Sequence, residues 1–137
     1  MSRGDVVRLP AAVAWVALGG AVGTYARVVV SVVVHPELAA TLTVNVVGAF
    51  ALGVLLTWLA DGGRRRHRAR LLLGTGFCGG FTTYSLVALQ VVALARAGDT
   101  VGVAGYVGAT LLLGGIATLL GIALGTWLRS RRGRVIA

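Results

Sequence analysis

The sequence predicts an all-α integral membrane protein of four transmembrane helices, the third broken near the middle of the bilayer. Three observations predict this class. First, the 137 residues are 57% hydrophobic and only 12% charged, whereas soluble domains carry about a quarter charged residues. Too little polar surface exists to keep a globule in water. Second, the apolar residues fall into four runs, each reaching the roughly 20 residues that a bilayer core requires. Third, one run contains Gly76-Phe77-Cys78-Gly79-Gly80-Phe81-Thr82-Thr83-Tyr84-Ser85. Adjacent glycines release the backbone, and paired hydroxyls bond it in place of the regular ladder. In hydrocarbon such a break is tolerated only where it is buried in protein or lines a watery or ionic cavity.

The polar segment Met1 to Leu9 precedes Pro10, which suits a first helical turn. The first span is expected at residues 11–34. It is too long for a signal peptide and lacks a small-residue cleavage pattern at its end. His35-Pro36-Glu37 forms a polar turn, and the proline stops the helix. The second span covers 38–60, and Asp61 to Arg70 make a charged loop. The third, broken span covers 71–95. Arg96 to Asp99 form a tight loop before the fourth span at 101–128, which ends in a basic tail. The length allows a single four-helix domain, with no internal repeat.

Formal net charge is +9, and all thirteen basic residues are arginines. They sit at the ends of apolar runs, so the partner they imply is an anionic lipid surface and not a nucleic acid. Four spans put the N-terminus, the 61–70 loop and the C-terminal tail on one side. Eleven arginines lie there, and Arg27 and Arg96 lie towards the other. The positive-inside rule then places both termini in the cytoplasm of a multi-pass plasma-membrane protein.

Small residues four apart recur at Gly19/Gly23, Ala49/Gly53 and Gly121/Gly125. This spacing lets helix backbones approach closely in lipid. It serves either ordinary packing within the subunit or a dimer face. Four short spans are few to enclose a pore, so assembly of at least two chains is expected.

Polar residues within the spans carry more information. Thr41, Asn45 and Gly48 share one stripe of the second span. Asn45 in the bilayer interior is costly unless bonded. It either ties two helices together or offers its amide to an anion path. Gly20, Thr24 and Arg27 share a face of the first span. Arg27 is either a snorkelling interfacial anchor or part of a vestibule that attracts anions. The four acids, Asp5, Glu37, Asp61 and Asp99, all lie in loops or at span ends. A proton-coupled exporter needs a carboxylate or histidine within the membrane to carry the proton, which disfavours a small multidrug exporter. No nucleophile–base pair or ligand cluster marks an enzyme, and Cys78 reads as a small buried apolar residue. Donors without acids, beside a broken helix, favour a passive path for a small anion.

Three motifs also resemble those of the Fluc (CrcB-type) fluoride channels. They are Gly19-Gly20-x-x-Gly23-x-x-x-Arg27, Thr43-Val44-Asn45-x-x-Gly48-x-Phe50-x-x-Gly53, and the stretch from Gly76 to Ser85. The resemblance covers nearly the whole chain. It implies a four-helix subunit paired antiparallel with a second, two narrow pores, and a structural sodium ion at the dimer centre. Carried over, the carbonyls of Gly79 and Thr82 would hold that sodium. Asn45 and Ser85 would be donors to fluoride. Arg27 would stand near a pore entrance, and Tyr84 would occupy a ring position of the pore. Tyr106 would add a hydroxyl, without a motif around it.

The chain departs from this pattern after Thr83. The family's Phe-Ser-Thr-Phe is here Tyr84-Ser85-Leu86-Val87, which loses one hydroxyl and one ring. The 11-to-2 arginine split should moreover fix one insertion orientation, whereas an antiparallel homodimer must insert both ways. The expectation is therefore one half of a heterodimer whose partner supplies the missing pore residues, with a homodimer as the alternative. Competing functions are a non-conducting scaffold or regulatory subunit and an exporter of another small substrate.

Overall fold

The computed structural model describes residues 9–60 and 63–134, with side chains through residue 131. Arg3, Asp5, Arg8 and Asp61 lie outside the described residues, as do the side chains of Arg132 and Arg134. Helix α1 spans Leu9–Val33 and α2 spans Glu37–Trp58. The third membrane segment is α3 over residues 64–81, followed after a break by α4 at Ser85–Arg96. Helix α5 runs over Thr100–Arg134. No strand occurs among the described residues.

Helix lengths agree with a bilayer. The 25 residues of α1 span about 37 Å at helical rise. The 35 residues of α5 span about 52 Å, so its arginine-bearing end clears a core of roughly 30 Å. Arg131 there stacks on the Trp127 ring, 4.1 Å from the ring centre, a pairing suited to the lipid–water boundary. The helices turn their apolar side chains outwards: Leu111, Leu112 and Leu119 are each about two-thirds exposed or more. The interior is thin and made of small or slender residues such as Ala40, Val44, Cys78 and Ala117.

Without a hydrophobic force between helices in lipid, close backbone contact must hold the bundle. Glycines provide it in two parallel pairs of helices. In the first pair, Gly19 of α1 faces the Leu72 carbonyl and Phe77 amide, and Gly23 faces the Phe77 carbonyl and Phe81 amide. Gly76 and Gly80 of α3 answer from the other side. A Cβ on Gly76 would lie 2.7 Å from the Val16 carbonyl oxygen, and one on Gly80 would overlap the Gly20 carbonyl. In the second pair, Gly53 of α2 meets the Thr118 carbonyl of α5, Gly121 meets Phe50, and Gly125 meets Val54 and Thr57. The contact residues advance in the same direction in both pairs, as alternate spans of an up-and-down chain must. Gly19, Gly23, Gly53, Gly121 and Gly125 are thus committed to packing within the subunit.

Helix α3 is not uniform. Arg64–Ala69 is α-helical, Arg70–Cys78 is a π-helix, and Gly79–Phe81 returns to α geometry. π-Turns are rare and gather at functional sites. Gly19 lies over the wide turn that brings the Leu72 carbonyl and the Phe77 amide together, so the lack of a side chain there lets α1 lie directly on π-helical backbone.

Gly80→Ala should therefore destabilise the protein by about 1–3 kcal/mol through overpacking. Gly105→Ala, where a Cβ meets nothing within 4 Å, should be neutral or stabilising by up to about 1 kcal/mol through helix propensity. Denaturant-induced unfolding of the two variants in one detergent compares them.

Candidate functional site at the helix break

The break falls at residues 82–84, within the Gly76–Ser85 stretch and at its threonine pair. Gly79 is helical, with φ −65 and ψ −35. The chain turns extended at Thr82, with φ −77 and ψ 160. Gly80 is required for contact with α1, and the unwinding is performed by the two threonines. Thr82 closes the preceding helix by donating its N–H and its hydroxyl to the Cys78 carbonyl, at 3.0 and 2.8 Å.

Thr83 is held from α2. Its N–H donates to Asn45 Oδ1 at 2.8 Å, and Asn45 Nδ2 donates to its carbonyl at 2.9 Å. Asn45 thus pairs with a whole backbone residue, as a neighbouring strand would. One Nδ2 hydrogen of Asn45 lies beyond this pair. The Thr83 hydroxyl oxygen accepts the Leu86 N–H at 3.3 Å and lies 3.2 Å from the Ser85 hydroxyl. This starts α4 as an N-cap does.

These bonds determine which carbonyls are released. In a continuous helix the Thr83 N–H would serve the Gly79 carbonyl, and the Leu86 N–H would serve Thr82. Both donors go to side chains instead. The Gly80 carbonyl is taken from the α1 side, by Arg27 Nε at 3.1 Å and the Thr24 hydroxyl at 3.5 Å. Gly80 is level with Gly20 of α1, so Arg27 reaches back along its helix towards the break, the direction a helical side chain favours.

A groove of about 1020 Å³ opens on the other face, between α2, the α3–α4 segment and α5. Asn45, Thr75, Gly79, Thr82, Tyr84 and Thr110 line it together with apolar side chains. Tyr84 stands 85% exposed. Among the described residues no three His, Cys, Asp or Glu side chains come together. A cation in this groove would therefore be held by backbone and hydroxyl oxygens.

The residues expected from the sequence divide into three groups. Asn45, Gly79, Thr82 and Tyr84 share the groove. Arg27 meets the break from α1. Ser85 sits beside Thr83 at the start of α4. Tyr106 is buried away from the break and donates to Gln90 Oε1 at 2.5 Å, while Gln90 Nε2 donates to Thr41 Oγ1 at 2.9 Å. Gln90 escaped the sequence reading, although it is the only polar side chain between Leu86 and Ala95. Thr41 is one helical turn before Asn45, so both polar contacts from α2 to the third segment use one stripe. No buried side-chain polar atom among the described residues lacks a partner.

Fold and site together define a small multi-pass membrane protein whose third span breaks beside a lateral groove lined by Asn45, Thr82, Thr83 and Tyr84 among apolar side chains. Comparison with known proteins agrees. Residues 14–122 match the family described as CrcB-like protein, Camphor Resistance (CrcB). A "Fluoride-specific ion channel FluC 2" of Leifsonia xyli subsp. xyli is 46% identical over 124 residues, covering 85% of this chain and 84% of that protein. A "Fluoride-specific ion channel FluC" of Allorhizobium ampelinum is 40% identical over 121 residues, covering 85% and 97%. One of the same name from Aquifex aeolicus is 40% identical over 115 residues, covering 80% and 93%. The chain belongs to the CrcB family.

Asn45→Leu removes both bonds to Thr83 and leaves its buried amide and carbonyl without partners. Each unsatisfied group costs about 1–3 kcal/mol. The variant should lose about 2–5 kcal/mol of stability, measured by unfolding in detergent, while Thr43→Val on the exposed side of α2 should change it little.

Proposed function

We propose that the chain is a passive, fluoride-selective channel subunit that lets fluoride leave the cytoplasm across the plasma membrane. The observation that carries the reading is the acid-free groove at the break, which sets Asn45, Thr82, Thr83 and Tyr84 among apolar side chains, in a chain whose relatives are named fluoride-specific ion channels. Fluoride is small and strongly hydrated, so a selective path must replace its water with donors held close together. The second Nδ2 hydrogen of Asn45 and the hydroxyls of Ser85 and Tyr84 are the donors available to it. Arg27 adds a positive charge near the path. Tyr106 gives its hydroxyl hydrogen to Gln90, so it has no donor to spare for the anion. A membrane potential negative inside supplies about 2.3 kcal/mol per charge per 100 mV, so outward flow needs no coupling ion.

The donor set also fits a structural sodium ion. The Gly79 and Thr82 carbonyls have lost their helical donors to side chains, and both residues line the groove. A Cβ on Gly79 would meet nothing within 4 Å, which leaves room for an approaching partner. Unwound backbone holds an alkali cation without burying a carboxylate. A second subunit placed antiparallel across the groove would contribute the same two carbonyls. Bound there, sodium would supply a fixed positive charge beside the anion path.

The second subunit is a different family member in this reading. Eleven arginines lie at the end shared by both termini and two lie towards the other, a bias that holds this chain in one orientation with its termini in the cytoplasm. Val87, at the lost ring position, is buried and offers no aromatic edge. A partner of opposite arginine bias would insert the other way and provide that ring.

Fluoride efflux from liposomes tests the proposal. The chain alone should give little efflux, and co-reconstitution with a second family member of inverted bias should restore fluoride flux that excludes chloride. Robust efflux from the chain alone would overturn the heterodimer. Absence of flux with every such partner would leave a non-conducting membrane subunit.

A further inference from the structure

We propose that Arg27 is a positioning residue for the carbonyls of the break. By drawing the Gly80 carbonyl onto α1, it commits the Gly79 carbonyl to the groove and thereby sets how tightly the break holds a sodium ion. The inference rests on the sodium reading above and goes beyond it, because Arg27 itself touches no ion.

The carbonyls around the break are distributed between the two faces of α3. Cys78 is satisfied by Thr82. Gly80 is satisfied from α1 by Arg27 and Thr24. Thr83 is satisfied from α2 by Asn45. Gly79 and Thr82 remain on the groove side, with their helical donors diverted. The partners of Gly80 and Thr83 therefore act as two clamps on either side of the residues that face the groove.

The clamp at Gly80 controls Gly79 for a geometrical reason. Peptide units are rigid planes. The plane carrying the Gly79 carbonyl joins the plane carrying the Gly80 carbonyl through φ and ψ of Gly80 alone. Glycine restrains those two angles less than any other residue, and Gly80 must be glycine because a Cβ there would overlap the Gly20 carbonyl. Packing against α1 thus places a glycine, and not a more restrained residue, next to the Gly79 carbonyl. Something other than local sterics must fix it, and Arg27 Nε at 3.1 Å does so. A bond from a charged donor is roughly twice as strong as a neutral one. The acids among the described residues, Glu37 and Asp99, stand at helix ends, so within the spans no carboxylate competes for the guanidinium.

The test is the sodium dependence of thermal stability, measured on the full-length conducting assembly in detergent. Sodium is exchanged for N-methylglucamine at constant ionic strength. The wild type should show a saturable, sodium-specific rise in Tm. In Arg27→Met the sodium midpoint should rise about tenfold, whereas Arg27→Lys, which keeps a charged donor of similar reach, should stay within about threefold of wild type. If Arg27→Met lowers Tm equally at every sodium concentration and leaves the midpoint unchanged, Arg27 is only a packing contact and the proposal is overturned. Should Arg27→Met fail to fold, Thr24→Val decides: it removes the weaker bond to Gly80 and should raise the midpoint about twofold to threefold, and an unchanged midpoint overturns the proposal. A wild type whose Tm ignores sodium while its fluoride efflux is intact would overturn the sodium reading and this inference together, and leave the channel reading standing.

Discussion

Asn45 and the backbone of Thr83 form the contact on which the rest of the structure depends. A helix cannot simply stop in hydrocarbon, because each orphaned N–H or C=O costs several kcal/mol. The third span stops at its middle because α2 presents, at that depth, an amide that reproduces both halves of a backbone pairing. The threonine hydroxyls complete the repair on either side, one closing the helix before the break and one starting the helix after it. Once the break is satisfied in this way, the Gly79 and Thr82 carbonyls, whose helical donors have gone to side chains, carry none of its cohesion. They are free to be used, and that separation between support and function is what a site made of backbone requires.

The same division appears in how the glycines are used. Gly19, Gly23, Gly76 and Gly80 join α1 to α3, and Gly53, Gly121 and Gly125 join α2 to α5. Packing within the subunit thus consumes two parallel seams. Gly79, Gly105, Gly108, Gly114 and Gly115 would meet nothing with an added Cβ. Two of these, Gly79 and Gly114, line the groove. In the proposed assembly these small residues, which serve no contact within the subunit, would let a helix of the second subunit approach closely.

Much of this architecture was legible in the sequence, and what was not follows a physical pattern. The spans were legible because hydrocarbon thickness imposes a length on every apolar run; α1 and α2 lie within two residues of the expected bounds, whereas the third segment starts at Arg64 and α5 continues to Arg134, because their arginine-rich ends stay helical beyond the apolar run. The existence of a break was legible because Gly-Gly beside Thr-Thr is out of place in a membrane helix. Which residues of that stretch unwind was not, since Gly80 proved to be needed for contact with Gly20, a tertiary demand that local composition does not announce. For the same reason spacing alone left Gly19/Gly23 open between an internal seam and a dimer face. The π-helical stretch from Arg70 to Cys78 leaves no compositional trace, because it is a change of hydrogen-bond register. Asn45 was legible as a polar residue in need of a partner, but the partner is 38 residues away and only the fold brings it there. Gln90 met the same criterion that drew attention to Asn45, namely an amide inside an apolar run, and was legible without being read.

Charge gives the structure a direction that its packing lacks. Parallel seams of glycine would serve either orientation equally well. Five of the arginines between residues 64 and 70 begin the third segment, and four more follow Leu128 at the end of the fourth. Within the bilayer, by contrast, Arg27 is the single described charge well inside a span, and a backbone carbonyl receives it in place of an acid. A carboxylate partner would neutralise that charge and would also provide a place for a proton to bind. Using a carbonyl keeps the positive charge and gives no titratable group at the midplane. A path for an anion that crosses uncoupled to protons needs both properties, and the break that supplies the carbonyl is the same one that supplies the groove.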